Sequence, residues 1–87
     1  MTTDVIEISN DGYTQINTVT TSFLAQNQSP DLVNIVVTED DTTPPAADAD
    51  PIFRLERHDS ISDANVVGII WAKSTAARIA FMGLKEG

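Results

Sequence analysis

Residues 65–84, with the sequence NVVGIIWAKSTAARIAFMGL, form the most apolar stretch of the chain and constrain its fold most strongly. This stretch contains the only tryptophan, Trp71, and a short polar link at residues 73–76 divides it into two apolar runs. We predict a strand over residues 66–73 that is apolar on both faces, and a closing strand over residues 77–84. Because the link is short, we expect the two strands to form a hairpin.

A helix over residues 74–84 is the alternative for the second run. Its alanines and Met82 are good helix formers, so helix propensity alone does not exclude it. The rest of the chain, however, alternates apolar and polar residues with the period of two that is typical of strands. We therefore favour the strand.

Four further segments have the composition and alternation of strands, namely residues 5–8, 13–25, 32–38 and 52–58. Residues 13–25 are rich in threonine and form either a strand pair or one long bent strand. Residues 32–38 are apolar on both faces, which predicts a central position in a sheet. Residues 59–65 are predicted to be a connection from which Ile61 packs back onto the core.

These segments make six to seven short strands with turn-forming residues between them. We therefore predict an all-β fold with a single domain over residues 1–87, built as a small antiparallel β-sandwich or barrel. Residues 1–11 are expected to form an extended N-terminal arm or a short strand. Residues 39–51 contain five carboxylates and three prolines and no large apolar side chain, so we predict a long acidic Pro-rich surface loop there.

The size of the chain suggests that it associates. A domain of 87 residues buries a modest share of its surface, and small domains often gain stability from disulfides, metals or oligomerisation. The chain has no cysteine and one histidine, which excludes disulfides and thiolate metal sites. We expect a homo-oligomer, either a dimer or a trimer, or attachment to a larger assembly.

The formal net charge of −8 limits the possible partners. Nucleic acids and anionic membranes attract Lys and Arg, so neither is an expected partner. All five basic side chains lie in residues 54–87, whereas residues 1–53 carry nine carboxylates and no base. Attraction to an acidic surface would use the basic half, and the interface candidates are Arg54, Arg57, Lys73 and Arg78.

The ends and the hydropathy of the chain predict its location. The N-terminal residues lack the basic and apolar regions of a signal peptide. No apolar run approaches the roughly 20 residues that span a bilayer. We expect a soluble protein that is synthesised in the cytoplasm.

The sequence predicts no catalytic, cofactor-binding or metal-binding residue, and we expect a protein that is not an enzyme. His58, Asp59 and Ser60 are consecutive, so in a strand their side chains would point to opposite faces and could not act together. The carboxylates of the acidic loop could attract a calcium ion, but they lack the ligand spacing of an EF-hand. We favour a solvated loop. Trp71 is expected in the core, the alternative being a platform that stacks on a sugar or an anchor at an interface.

A set of short segments along the chain resembles small virion proteins of tailed bacteriophages. The segments are Gly12-Tyr13-Thr14-Gln15-Ile16, Ala25-Gln26-Asn27, Val33-Asn34-Ile35, a Pro/Asp loop, Phe53-Arg54-Leu55 and Ile70-Trp71-Ala72-Lys73-Ser74. The resemblance covers about residues 12–84 and consists of strand and turn patterns. It implies a β domain that decorates or cements the capsid by binding the major capsid protein or other virion proteins.

We therefore expect a virion structural protein that binds and stabilises the assembled capsid. A tail or head-fibre adaptor is the alternative within the same class. A carbohydrate- or receptor-binding β module is the alternative from another class, and it would need an exposed aromatic platform.

Overall fold

A computed structural model gives an all-β protein with two antiparallel sheets of four strands each. The structure describes residues 2–18, 22–39, 41–64 and 66–86. The strands of this part of the chain are β1 Thr2–Ile8, β2 Thr14–Gln15, β3 Phe23–Asn27, β4 Val33–Thr38, β5 Phe53–Leu55, β6 Ser60–Ser62, β7 Ile69–Ser74 and β8 Ala80–Glu86. The first sheet has the order β1-β8-β3-β6, and the second has the order β2-β7-β4-β5.

One hydrophobic cluster joins the two sheets. Successive residues of a strand point to opposite faces, so every second side chain of a strand points toward the other sheet. The first sheet contributes Ile8, Phe23, Ala25, Ile61, Ala80, Met82 and Leu84. The second sheet, with the residue that follows β2, contributes Ile16, Val33, Ile35, Leu55, Ile70 and Ala72. The inner faces of both sheets therefore share a single core.

The structure has eight strands in the described residues, so the predicted number of six to seven is wrong. The additional strand is β6, in a segment that was predicted to be a connection. Ile61 is buried there, as expected. Ile61 lies opposite Ala25 of β3, and this pairing places Ser60 and Ser62 in the first sheet as well.

The predicted hairpin at the end of the chain is also wrong, because β7 and β8 belong to different sheets. β7 pairs with β2 and β4, whereas β8 pairs with β1 and β3. Ser74 supports the crossing, since its hydroxyl accepts a hydrogen bond from the N–H of Ala76 at 3.2 Å. The helix alternative for residues 74–84 is wrong as well, because Ala80–Glu86 is a strand.

Two other predictions about the strands are confirmed or made more specific. β4 lies between β7 and β5, as predicted from its two apolar faces. The N-terminal segment, predicted as an arm or a short strand, is a strand from Thr2 that pairs with β8 along all seven of its residues. The predicted 13–25 segment contains β2 and the first part of β3, and its residues 19–21 lie outside the described part of the chain.

In the described part of the chain, no helix is long and apolar enough to cross a membrane.

Candidate functional site

The outward face of the second sheet is occupied by the connection between β4 and β5. Ile70 and Ala72 of β7 point into the shared core, so Trp71 and Lys73 point outward. Lys73 Nζ donates a hydrogen bond to the Ala47 carbonyl at 2.5 Å. The Tyr13 hydroxyl donates to the Ala49 carbonyl at 2.8 Å. The described residues 41–51 of this connection, which we call the acidic loop, are therefore attached to this face at Ala47 and Ala49.

Trp71 is buried, but it lies outside the shared core. Its exposed fraction is 5%. Its indole N–H donates to the Thr38 hydroxyl at 2.8 Å, on the adjacent strand β4. Two residues further along the same face of β7, Lys73 holds the acidic loop. Trp71 is thus almost fully buried on the outward face of the sheet, two residues from the point where Lys73 binds the loop, and it offers no open aromatic surface.

The acidic loop does not bring its carboxylates together as a cation site. Within the described residues, which omit Asp40, no group of three His, Cys, Asp or Glu side chains is placed to hold a metal ion. An open depression of about 440 Å³ lies at the end of the loop and is lined by Asp50, Pro51, Ile52 and Arg54. Burial and the nearby Asp50 carboxylate raise the pKa of Tyr13, while Arg54 lowers it to a smaller extent.

Two of the four basic interface candidates lie in one row on the outward face of the second sheet. Asn34 of β4 is opposite Arg54 of β5 on one side and opposite Lys73 of β7 on the other. Arg54 Nε donates to the Asn34 side-chain oxygen at 3.0 Å. Because Lys73 is bonded to the loop, Arg54 is the more exposed cation of this pair.

The other two candidates lie in connections. Arg57 is exposed in the turn between β5 and β6. Arg78 lies between β7 and β8, and its guanidinium binds the Asp31 carboxylate through two hydrogen bonds of 2.7 and 3.0 Å. These bonds lower the pKa of Asp31. The four bases therefore lie in two settings, two on the face of the second sheet and two in connections between strands.

The His58, Asp59 and Ser60 side chains are all exposed and lie in and beside the turn between β5 and β6. The Asp59 carboxylate accepts a hydrogen bond from the Glu56 N–H at 2.9 Å, which closes the turn. His58 has a φ of 69°, and its N–H donates to the Asn27 carbonyl at 2.7 Å. The observed contacts of these residues shape the turn.

The outward face of the first sheet differs from that of the second because it carries exposed apolar side chains. Val5, Leu24 and Phe81 are 60%, 44% and 41% exposed, and they come from three adjacent strands. A groove of about 160 Å³ on this face is lined by Val5, Leu24, Gln26, Gln28, Gly83, Leu84 and Lys85, whereas Phe81 lies on the same face but does not line it. We call the surface formed by Val5, Leu24, Phe81 and Gly83 the β8 face.

Gly83 has no side chain and so leaves room for the side chain of Gln28. A Cβ at this position would lie 2.5 Å from Nε2 of Gln28, whose side chain extends across the glycine. The sequence signal was a glycine inside a strand, which often marks a close approach by another group. Sequence reasoning missed this surface, because alternation alone does not say which face of β8 points inward.

Comparison with protein-family models, with curated proteins and with solved structures found no match for this chain.

Proposed function

We propose that this chain is a non-enzymatic β-sandwich protein of a tailed-phage virion, which binds the assembled major capsid protein and stabilises the capsid. Two four-stranded antiparallel sheets around one core are compatible with a β-sandwich. The virion assignment is supported by the strand and turn patterns of residues 12–84. The protein would be made in the host cytoplasm and incorporated into the virion.

The observation that carries the proposal is the β8 face. Exposed apolar residues grouped on one face of a small protein often mark a surface that binds another protein. Val5 and Leu24 line the groove at Gly83 together with polar side chains, and Phe81 is exposed on the same face. The matching face of the other sheet is occupied by the acidic loop, so the two faces of the molecule are not equivalent.

Charge specifies the partner further. The chain has a net charge of −8, which favours a capsid surface that is apolar at the contact and basic around it. Arg54, Arg57, Lys73 and Arg78 stay candidate contacts at the edge of this interface. Three of them already have partners within the chain, which is why we place the main contact on the β8 face.

Co-sedimentation with purified phage heads and tails tests the proposal. We expect the wild-type protein to sediment with heads, and Phe81→Glu and Leu24→Glu to weaken binding at least about tenfold by placing a carboxylate in the apolar contact. Val67→Glu is the matched control, because Val67 is 82% exposed and precedes β7, outside the β8 face.

Each outcome has a distinct meaning. Binding to tails instead of heads would favour the adaptor function. A wild-type protein that stays in solution with both particles would contradict a virion role. Equal losses in all three variants would show that added charge, and not the β8 face, is responsible.

A further inference from the structure

One edge strand of the molecule is much longer than the others. β1 and β6 are the edges of the first sheet, and β2 and β5 are the edges of the second. β6, β2 and β5 have three, two and three residues, whereas β1 has seven and contains no proline. Long edges with unpaired backbone groups are sites where another strand can pair.

The hydrogen bonds of β8 identify which groups of β1 face outward. The Gln28 N–H donates to the Phe81 carbonyl at 2.9 Å, so the backbone of Phe81 points away from β1. Glu7, which lies opposite Phe81, is therefore not hydrogen-bonded to it. By alternation, the N–H and C=O groups of Thr3, Val5 and Glu7 point away from β8. Within the described part of the chain, no residue hydrogen-bonds to these groups.

We propose that β1 pairs antiparallel with β1 of a second copy of this chain, with Val5 on the two-fold axis. Val5 is the middle residue of Thr2–Ile8, so this register pairs all seven residues of one strand with all seven of the other. Val5 then forms a hydrogen-bonded pair with Val5 of the partner subunit. Thr3 forms such a pair with Glu7 of the partner subunit, and Glu7 forms one with Thr3 of the partner subunit. Every outward N–H and C=O group of the strand is then hydrogen-bonded.

One pair of opposite charges favours a second copy in this register. A shift that centres the pairing on Glu7 would instead place Glu7 directly opposite Glu7 of the partner subunit, which is destabilising. In the proposed register, Glu7 of the partner subunit lies opposite Thr3, and Thr3 lies opposite Lys85 within the same subunit. Lys85 and Glu7 of the partner subunit are therefore in the same row across the three strands.

The pairing also buries apolar surface. Val5 is 60% exposed in the single chain, and its side chain would pack against its symmetry equivalent. The two first sheets would form one eight-stranded sheet with a continuous β8 face. Because the interface is a single strand pair between chains of net charge −8, we expect a dissociation constant on the order of 10 µM.

Sedimentation equilibrium of the purified protein without any virion partner tests the pairing, so its outcome is independent of the proposed function. We expect a monomer–dimer equilibrium in the wild type. Val5→Pro removes an outward N–H, and Val5→Lys places a charge on the two-fold axis, so each should raise the dissociation constant at least about tenfold. Leu24→Lys is the matched control, because Leu24 is on the same face but on the inner strand β3.

Amide hydrogen exchange followed by NMR locates the interface. We expect the N–H groups of Thr3, Val5 and Glu7 to become protected as the protein concentration rises, whereas those of the β6 edge do not. A wild-type monomer at about 1 mM, a dimer unchanged in folded Val5→Lys, or a dimer in which these three amides stay unprotected would each overturn the proposal. Circular dichroism of each variant identifies any that has unfolded.

Discussion

The side-chain amide of Asn27 donates a hydrogen bond to the Leu55 carbonyl at 2.9 Å and thereby links β3 of the first sheet to β5 of the second. The same amide donates to the Asp31 carbonyl at 2.8 Å. Its oxygen accepts from the N–H and the hydroxyl of Ser29. Asn27 is fully buried, so its polar atoms are satisfied by protein groups.

Asn27→Leu should therefore destabilise the protein strongly. Leucine has the same branching and number of side-chain heavy atoms but removes the hydrogen bonds to the Leu55 carbonyl and the Ser29 N–H, which we expect to cost about 2–4 kcal/mol in the free energy of unfolding. Urea denaturation measures the change. Asn10→Ala is the control, because Asn10 is exposed. Equal effects of the two substitutions would argue against the role of Asn27 between the sheets.

Gly68→Ala should also destabilise the fold, since this glycine has a φ of 144°. An added Cβ would lie 2.5 Å from the Thr38 carbonyl oxygen and 2.7 Å from a methyl group of Val37. We expect a loss of about 2–4 kcal/mol in the free energy of unfolding. Gly12→Ala provides the comparison, because the nearest atom to its Cβ would be 3.9 Å away and its change should be small.

The attachment of the acidic loop at Lys73, two residues from Trp71, predicts a fluorescence change. Tyr13→Phe combined with Lys73→Met removes the two hydrogen bonds that attach the acidic loop, at a cost of about 1 kcal/mol for each bond. We expect acrylamide to quench Trp71 more strongly in the double variant than in the wild type. Arg54→Met is the control from the same row. If quenching is unchanged in the folded double variant, these bonds do not hold the loop in place.

His58→Gly should raise the stability of the protein. A non-glycine residue in the left-handed region, here with a φ of 69°, is strained, and glycine removes that strain. Since glycine also increases the freedom of the unfolded chain, we expect a net gain of about 0.5–1 kcal/mol. Thermal denaturation measures it. Arg57→Gly, one residue earlier and without a positive φ, should show a loss, and a similar gain there would contradict the explanation.

The Arg78–Asp31 pair predicts a dependence on pH. Arg78 lowers the pKa of Asp31 in the folded state, so the pair stabilises the protein above the unfolded pKa of about 3.9, and this contribution is lost as the pH falls through the folded value. In Arg78→Met, we expect the NMR titration midpoint of Asp31 to rise and the loss of stability in acid to become shallower. Arg57→Met should leave that midpoint unchanged.

The sequence by itself determined the class of the fold and most of its strands. Alternation along a strand is a local property, so the positions of β4, β7 and β8 could be found to within a few residues. The burial of Ile61 and of Trp71 also followed from composition. The basic candidates could be named from the charge distribution, but local sequence could not say which of them would meet.

Only the tertiary structure decided which strands share a sheet and which faces are covered. β7 and β8 follow each other in the chain, yet the choice between a hairpin and a crossing depends on the other strands that bury their apolar faces. Trp71 is buried on a face where a loop from elsewhere in the chain is attached through Lys73, two residues away. The β8 face and the free edge of β1 likewise depend on pairings between residues that are distant in sequence, and such pairings leave no local pattern.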